Sequence, residues 1–294
     1  MYTSTASSMG LINNTINGYT FLSFIGSGSF GSVYKVEKDN NFYAVKVFRE
    51  SYVYEEYLKN GENNRIRREI DIMKSVDHPF LVKYIDDFKH TYLNNSSYFL
   101  VMEYVQGQTL EVIIKSKLLR TENEIIELFS RILEGVRGLH NIINNGISNG
   151  IIHRDLKPEN IIVSRDSVKI LDYGISKVID YTSLTSTGKF IGSPAYASPE
   201  QIRDSKNIDK RSDLYTLGVI LYEMLTNQLP YSYNGLPDLI NKILFESPIP
   251  PRKWNPNLSN YLENIILKLL GKKEYQRLSK SNRARNICGH GRRK

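Results

Sequence analysis

Only one cysteine, Cys288, occurs among the 294 residues. A single cysteine can form neither an intramolecular disulfide nor a cysteine-based zinc site, so we expect a core of ordinary hydrophobic packing and a cytoplasmic, reducing setting. The chain also lacks any run of about 20 apolar residues, which argues against a membrane-spanning helix. Its longest apolar patch, 217–225, is interrupted by Gly218 and Glu223. Residues 1–18 have no basic segment followed by an apolar one, so they predict a short disordered lead and no signal peptide.

The excess of basic over acidic residues lies at one end of the chain. The net charge is +8, yet ten of the 39 basic and one of the 31 acidic residues lie in 268–294, which leaves 29 basic and 30 acidic residues elsewhere. We therefore expect no nucleic-acid binding by the domain as a whole. For the basic segment 268–294, an acidic protein, a lipid or a nucleic acid stays open as a partner. The sequence carries no signal for an oligomeric state.

The first third of the chain is rich in short β-branched and aromatic runs, and it contains one helical stretch. In that stretch Ile66, Ile70, Met73 and Val76 recur at helical spacing and predict one buried face. From Leu110 onward the apolar spacing is mostly helical. The predicted strands are Tyr19–Ile25, Ser32–Val36, Phe42–Phe48, Leu81–Phe88 and Ser97–Tyr104. This order predicts an α+β protein of two lobes with a hinge near 103–107, and a cleft between lobes binds ligands.

A glycine-rich segment follows the first predicted strand. Residues 26–33 read GSGSFGSV, the G-x-G-x-x-G-x-V pattern, in which absent side chains let backbone N–H groups approach phosphates. A glycine-rich hairpin turn would look the same. The segment leads into another strand rather than a helix, which disfavours a dinucleotide-binding unit.

A lysine lies inside an otherwise apolar predicted strand. Residues 43–46 read YAVK, and a buried ammonium at Lys46 requires a carboxylate or an anionic ligand. Glu69, on the predicted helix, would supply that carboxylate. The alternative is a surface lysine on an edge strand and a surface glutamate on a helix.

Three further segments complete an ordered set of motifs. They are HRDLKPEN at 153–160, LDYG at 171–174 and IGSPAYASPEQ at 191–201. With these segments the sequence resembles the eukaryotic-type protein kinase family over about residues 19–278, and it is most similar to the catalytic domains of bacterial Ser/Thr kinases. The resemblance implies a bilobal kinase fold: a five-stranded antiparallel lobe with one main helix (about 19–102), a hinge (103–107), a larger mainly helical lobe (108–278) and a basic tail (279–294).

The resemblance implies an ATP-dependent kinase that acts on serine and threonine hydroxyls of proteins. Asp155 would orient the substrate hydroxyl and accept its proton, and Lys157 would contact the γ-phosphate. Asn160 and Asp172 would hold Mg²⁺ or Mn²⁺. Lys46, paired with Glu69, would bind the α- and β-phosphates. The further ATP-binding positions are Ile25, Gly26, Ser27, Gly28, Ser29, Phe30, Gly31, Val33, Ala44, Met102, Glu103, Val105 and Ile162.

Other matched positions imply structural or regulatory roles. Asp213 would anchor the catalytic loop, Glu200 and Arg277 would form a buried ion pair, and Ser193 would reach Asp155 and Lys157. Arg154 would bind a phosphate on the activation loop, the segment between Asp172 and Glu200. This predicts autophosphorylation at Thr185 and Thr187. Tyr173 replaces the family's usual phenylalanine and joins Met73, Tyr84 and His153 in a stacked apolar column. Glu159 and Glu223 match positions that bind a basic substrate residue in some relatives.

Two other functions remain open at this stage. A kinase-like scaffold would keep the fold and lose the chemistry, but Lys46, Glu69, Asp155, Asn160 and Asp172 are all present. A small-molecule phosphotransferase of the same superfamily would lack the lysine form at Lys157 and the peptide-docking segment 192–200.

Overall fold

We describe the fold from a computed structural model, for residues 10–28, 31–48, 65–92, 95–119, 121–142, 150–165, 167–173, 194–204 and 207–277. The chain divides into two compact units. One comprises residues 1–78 and 82–106 and the other residues 79–81 and 107–294. The division falls after Gln106, within the range predicted as a hinge. Among the described residues, no helix is both long and apolar enough to cross a membrane.

The first unit is built on one antiparallel sheet. Its strands are β1 (Thr15–Ile16), β2 (Tyr19–Ser27), β3 (Gly31–Lys38), β4 (Asn41–Phe48), β5 (Tyr84–Tyr92) and β6 (Asn95–Glu103), in the order β1-β2-β3-β4-β6-β5. The five predicted strands are present, with one shift. Strand β5 begins at Tyr84, whereas Leu81 forms a bridge with Ile170 in the second unit.

The two faces of this sheet carry different residues because side chains alternate along a strand. One face holds an aromatic and aliphatic core that includes Phe21, Tyr34, Val45 and Phe99, all at most 1% exposed. Phe88 stacks on Phe99 with ring centroids 5.0 Å apart. The opposite face carries the side chains predicted to bind ATP.

Residues 10–18 differ from the expectation of a disordered lead. Strand β1 pairs with β2, and Leu11 and Ile16 are buried in the core of the first unit. The Asn14 amide also donates to the Gly10 carbonyl at 2.8 Å. The correction has a physical reason. Leu11 and Ile16 pack with the aromatic core on one face of the sheet, and this is a tertiary contact that local composition does not predict.

Helix α1 (Arg65–Lys74) is the one helix described in the first unit. Ile66, Ile70 and Met73 are at most 1% exposed, whereas Arg67 and Asp71 are exposed. The predicted buried face of this helix is confirmed.

The second unit is mainly helical, which confirms the α+β class. Its helices are α2 (Leu110–Lys115), α3 (Glu122–His140), α4 (Pro199–Arg203), α5 (Arg211–Thr226), α6 (Leu236–Phe245) and α7 (Asn260–Leu269). A three-stranded sheet contains β7 (Gln108–Thr109), β8 (Ile161–Val163) and β9 (Val168–Ile170). Four short 3₁₀ helices complete the described elements, at Pro158–Asn160, Pro194–Tyr196, Pro251–Lys253 and Glu274–Gln276.

Helix α5 forms the centre of the second unit. Most of its residues are buried, including Asp213 and Tyr215, so it is apolar on nearly all sides. Gly218 permits close packing against α7, because a β carbon there would lie 2.7 Å from Leu269 Cβ. Helix α3 begins with a reciprocal cap in which Thr121 and Glu124 each accept the other's backbone N–H.

Candidate active site

Four of the predicted ATP-binding side chains share one face of the sheet in the first unit. Lys46 on β4 lies opposite Val33 on β3, and Ala44 lies opposite Met102 on β6. Directly paired residues of antiparallel strands point to the same side, and residues two apart on one strand do so as well. The strand register therefore brings Val33, Ala44, Lys46 and Met102 together on the face opposite the aromatic core.

The glycines of the glycine-rich segment have different reasons to be glycine. A β carbon at Gly31 would lie 2.1 Å from the Val47 carbonyl oxygen, so the fold itself requires glycine there. At Gly26 and Gly28 a β carbon would meet nothing within 4 Å. The protein's own packing gives no reason for these two glycines, which is the pattern expected where a ligand approaches the backbone. Ile25, next to them, is 51% exposed.

Lys46 is buried, with 5% of its surface exposed, and its Nζ lies 5.4 Å from the Phe48 ring centroid. A surface lysine on an edge strand is thereby excluded, because β4 is paired on both sides and Lys46 lies in its interior. The backbone of Glu69 is in helix α1. Its side chain falls outside what the structure describes, so the pairing of Lys46 with Glu69 stays a prediction.

The end of β6 leads to Met102, Glu103 and Val105, three of the predicted ATP-binding positions. Met102 is 7% exposed, and the Glu103 N–H donates to the Lys83 carbonyl at 3.0 Å. The Glu103 side chain accepts the Lys83 N–H in return at 2.8 Å. These two bonds fix the backbone at Glu103. The Val105 N–H donates to no other residue that the structure describes, so it can serve as a donor to a ligand.

In the second unit, the segment after Ile152 forms the predicted catalytic loop. The Lys157 ammonium lies 3.4 Å from the Asp155 carboxylate, and both side chains are about one quarter exposed or less. Asn160 is 8% exposed, and its amide donates to the Asp155 carbonyl at 2.9 Å. The loop thus holds one carboxylate and one ammonium side by side.

The metal-binding prediction fits the polar atoms of this loop. Because the side-chain amide nitrogen of Asn160 donates to Asp155, the side-chain oxygen of Asn160, Oδ1, is the atom that can face a cation. The Leu171 N–H donates to the backbone carbonyl of Asn160 at 2.8 Å, and this bond places the backbone before Asp172 beside Asn160. Asp172 has a φ of 54°, a left-handed backbone conformation that is uncommon for residues other than glycine. Two oxygen-bearing side chains of this kind suit Mg²⁺, which keeps several waters.

Two apolar positions border these residues. Tyr173 is fully buried, as the resemblance implies for the residue after Asp172, and Ile162 on β8 lies opposite Lys169 on β9. His153 is also buried, and its Nε2 lies 3.0 Å from the Leu171 carbonyl oxygen. His153 therefore links the first half of the loop to the segment that carries Asp172.

Asp213 anchors the catalytic loop from helix α5, as predicted. Its carboxylate accepts the backbone N–H of His153 at 2.9 Å and that of Arg154 at 3.2 Å. Arg154 has a φ of 65°, so these two bonds hold the backbone in a strained turn. His140, which sequence reasoning missed, lies 2.7 Å from Asp213 through its Nε2. Burial alone would raise the pKa of Asp213, but the hydrogen bond and charge of His140 and the charge of His153 outweigh burial and lower it.

Glu200 and Arg277 form the predicted buried ion pair. Arg277 Nη2 donates to Glu200 Oε2 at 2.7 Å, and Ser212 donates to Glu200 Oε1 at 2.7 Å. Arg277 is 2% exposed and also donates to the Gly271 carbonyl. Burial would raise the pKa of Glu200, but the hydrogen bonds and charge of Arg277 outweigh it and lower the pKa.

An acidic cluster lies near the segment that follows the activation loop. Tyr196 donates its hydroxyl to Glu223 at 2.7 Å, and Glu111 pairs with Lys115 on α2. Burial raises the pKa of Glu223, the hydrogen bond from Tyr196 opposes this increase, and the charges of Glu159 and Glu111 add to it, so the pKa is raised. One oxygen of Glu159 is buried without a hydrogen-bond partner among the described residues. Sequence reasoning identified Glu159 and Glu223. Tyr196 lies in the motif segment 191–201, but nothing in that segment indicated its bond to Glu223, and Glu111 had no signal in a single sequence.

Several predicted site residues fall outside the described residues. Ser29 and Phe30 of the glycine-rich segment, the phosphorylation sites Thr185 and Thr187, and Ser193 are among them. The basic tail after residue 277 is outside as well.

Comparisons with known proteins identify the family of the chain. A family model described as "Protein kinase domain" matches residues 19–291, past the predicted domain boundary at 278. Similar proteins include serine/threonine-protein kinase PrkC of Bacillus subtilis, 32% identical over 272 residues, which are 91% of this chain and 39% of PrkC. Serine/threonine-protein kinase pkn3 of Myxococcus xanthus is 34% identical over 267 residues, 86% of this chain and 46% of pkn3.

A third relative, serine/threonine-protein kinase PknB of Mycobacterium tuberculosis, is 36% identical over 211 residues, 71% of this chain and 32% of PknB. The chain spans less than half the length of these relatives. The predicted resemblance to bacterial Ser/Thr kinases is confirmed.

Proposed function

The chain belongs to the protein kinase domain family, and from this membership we propose that it transfers the γ-phosphate of ATP to serine and threonine hydroxyls of proteins. One observation carries the proposal. The carboxylate of Asp155 and the ammonium of Lys157 lie 3.4 Å apart in a loop whose backbone is fixed by the buried carboxylate of Asp213. Phosphoryl transfer depends mainly on positioning and charge compensation, and this loop supplies both.

Each residue of the loop has a defined part in the proposed reaction. Asp155 orients the substrate hydroxyl and accepts its proton at the carboxylate. Lys157, held beside that carboxylate, compensates the negative charge that moves with the phosphoryl group. When bound through Asn160 and Asp172, Mg²⁺ supplies charge neutralisation for the phosphate oxygens. In the first unit, buried Lys46 contributes a second cation for the α- and β-phosphates.

The acceptor class follows from Lys157. In tyrosine-specific members of the family this position is not a lysine, so the lysine supports serine and threonine as acceptors. The single cysteine supports a cytoplasmic setting. The basic segment 268–294 remains the one part of the chain with the charge to bind nucleic acid. Retention on DNA that depends on salt and is lost when the residues after Leu278 are deleted would reveal such binding.

The experiment that tests the proposed function is transfer of radioactive phosphate from ATP to a generic basic protein and to serine, threonine and tyrosine peptides. We expect Asp155→Asn to abolish transfer and Glu127→Gln to leave it unchanged. Glu127 is a matched control because, within the described part of the chain, its side chain pairs with Arg131 alone, on the surface of α3. Binding of ATP without any transfer by the unaltered chain would favour the kinase-like scaffold instead.

Autophosphorylation of the activation loop is a second part of the proposal. Arg154 precedes Asp155, and among the described residues its guanidinium forms no ion pair. A phosphate at Thr185 or Thr187 would supply the negative counter-charge for this guanidinium. Mass spectrometry of the chain made with and without Asp155→Asn tests this. We expect phosphate at these threonines only in the active chain, and equal phosphate in both preparations would refute autophosphorylation.

A further inference from the structure

A polar network joins helix α1 to strand β5 inside the first unit. Lys74, the last residue of α1, places its Nζ 2.5 Å from Asp87 Oδ1, and Arg67 Nη1 lies 3.7 Å from Asp87 Oδ2. Tyr84 donates its hydroxyl to Asp87 Oδ1 at 2.6 Å. The Asp87 side chain is only 10% exposed. A carboxylate this buried is stable as an anion because cations and donors replace the water it has lost.

The two cations are placed so that one carboxylate holds both ends of the helix. Arg67 and Lys74 are seven residues apart, which is about two helical turns, so both lie on the same side of α1. The backbone of Glu69 lies between them. A displacement of α1 along β5, or a rotation about its own axis, would break at least one of the two contacts with Asp87.

The strand register connects this network to Lys46. Asp87 lies directly opposite Leu100 on β6, and Leu100 lies directly opposite Lys46 on β4. The three residues therefore form one row across the sheet, and their side chains point to the same face. Across two strand spacings the row is about 10 Å long. Asp87 thus holds α1 against the same row of the sheet from which the Lys46 side chain projects.

From this geometry we infer that Asp87 is a positioning residue for phosphoryl transfer: it holds α1, through Arg67 and Lys74, at the position from which Glu69 is predicted to pair with Lys46. The inference rests on the proposed function. Tyr84 gives it independent support. The family resemblance places this side chain in an apolar column, yet its hydroxyl bonds to Asp87, so the network is a feature of this chain and not of the matched motifs.

The adjacent residue offers a matched control. Asp86 lies opposite Val101, on the other face of the sheet, and accepts the Tyr19 hydroxyl at 3.3 Å. Asp86→Asn changes the same functional group on the same strand without touching α1, and its amide oxygen can still accept the Asp87 backbone N–H, which bonds to Asp86 Oδ1 at 2.8 Å. Asp87→Asn keeps the shape of the side chain and removes its charge, so Lys74 and Arg67 lose their common anion.

The test measures kcat and KM for ATP with the full chain and a fixed protein substrate. We expect Asp87→Asn to lower kcat about three- to tenfold, since a charge-assisted contact is replaced by weaker neutral ones. We expect Asp86→Asn to keep the unaltered kcat. In a Glu69→Gln background, Asp87→Asn should cause no further loss, because the pair that it positions is already broken.

Two outcomes would overturn the inference. One is an unchanged kcat in Asp87→Asn together with a lower unfolding temperature, which is the result of a purely structural role. The other is an equal loss with and without Glu69→Gln. Hydrogen exchange separates these outcomes from a failure of the proposed function. Even in a chain that transfers no phosphate, Asp87→Asn should accelerate exchange of the α1 amides relative to Asp86→Asn, and equal exchange in the two variants contradicts the inference.

Discussion

Arg277 and Glu200 form a two-bond ion pair in the interior of the second unit, with Nη1 to Oε1 at 2.5 Å and Nη2 to Oε2 at 2.7 Å. Parallel bonds between a guanidinium and a carboxylate are the strongest form of such a pair. Arg277 also donates to the Arg211 carbonyl at 3.0 Å, at the start of α5. The pair therefore ties the short helix α4 to α5 and to the end of the described chain.

Removing one partner should destabilise the second unit strongly. We expect Arg277→Met to lower the free energy of unfolding by about 3–5 kcal/mol, because Glu200 remains buried without its counter-charge. Urea unfolding measures the loss. Arg211→Met is the control: Arg211 pairs with Asp209 at the surface, so its loss should stay below about 1 kcal/mol. A loss from Arg277→Met as small as that of the control would contradict the assignment.

The same pair predicts how stability depends on pH. The pKa of Glu200 is lower in the folded chain than its usual value, despite burial, because of Arg277. A carboxyl with a lowered pKa stabilises the fold above its unfolded pKa of about 4.3, and this stability is lost as the pH falls through the folded pKa. We expect acid unfolding to become less steep in Glu200→Gln, as measured by fluorescence from about pH 6 to about pH 2. An unchanged slope would show that other carboxyls govern the transition.

Two glycines of one motif should respond oppositely to alanine. Gly31→Ala brings a β carbon against the Val47 carbonyl, so we expect a loss of stability of about 1–3 kcal/mol. Gly28→Ala meets open space. It should leave the unfolding free energy nearly unchanged and raise KM for ATP severalfold, because the β carbon occupies the position that phosphates approach. Thermal unfolding measures the loss of stability, and rates at varied ATP concentration measure KM. An unchanged KM in Gly28→Ala would show that ATP does not approach the backbone at Gly28.

Asp213 should matter for activity although it lies outside the reacting groups. We expect Asp213→Asn to lower kcat about tenfold or more, since an amide offers one oxygen where the carboxylate accepts backbone N–H groups with two. Asp209→Asn, on the surface, is the control. Initial rates at saturating ATP measure the effect, and equal rates in the two variants would show that the loop holds its geometry without Asp213.

Much of the site was predictable from the sequence because its residues are fixed by local pattern and motif spacing. Lys46 is interior to a run of strand-forming residues, so its burial follows from that local pattern. The buried face of α1 follows from the spacing of Ile66, Ile70 and Met73. In each case a short-range period determines the direction of the side chain.

The unpredicted features depend on contacts between segments far apart in the chain. His140 reaches Asp213 from the end of α3, and Tyr196 reaches Glu223. His140 lies in none of the motifs, and the motif segment 191–201 that contains Tyr196 does not indicate a contact with Glu223. In the segment 10–18, Leu11 and Ile16 pack with the aromatic core of the first unit, although most of their neighbours in sequence are polar. A local pattern does not encode which distant surface such residues meet, so these contacts appear only once the chain is folded.

The acidic cluster predicts a substrate preference that weakens at low pH. We expect peptides with an arginine upstream of the acceptor serine to be preferred over alanine analogues about tenfold in kcat/KM, and Glu223→Gln to remove most of this preference. Burial, together with Glu159 and Glu111, raises the pKa of Glu223. Glu223 should therefore take up a proton at a pH where a free glutamate, with a pKa of about 4.3, is still charged, and the preference should fall first there. Peptide selectivity from about pH 8 to about pH 4 measures this, with Glu127→Gln as the control; a preference retained in Glu223→Gln would assign arginine recognition to other residues.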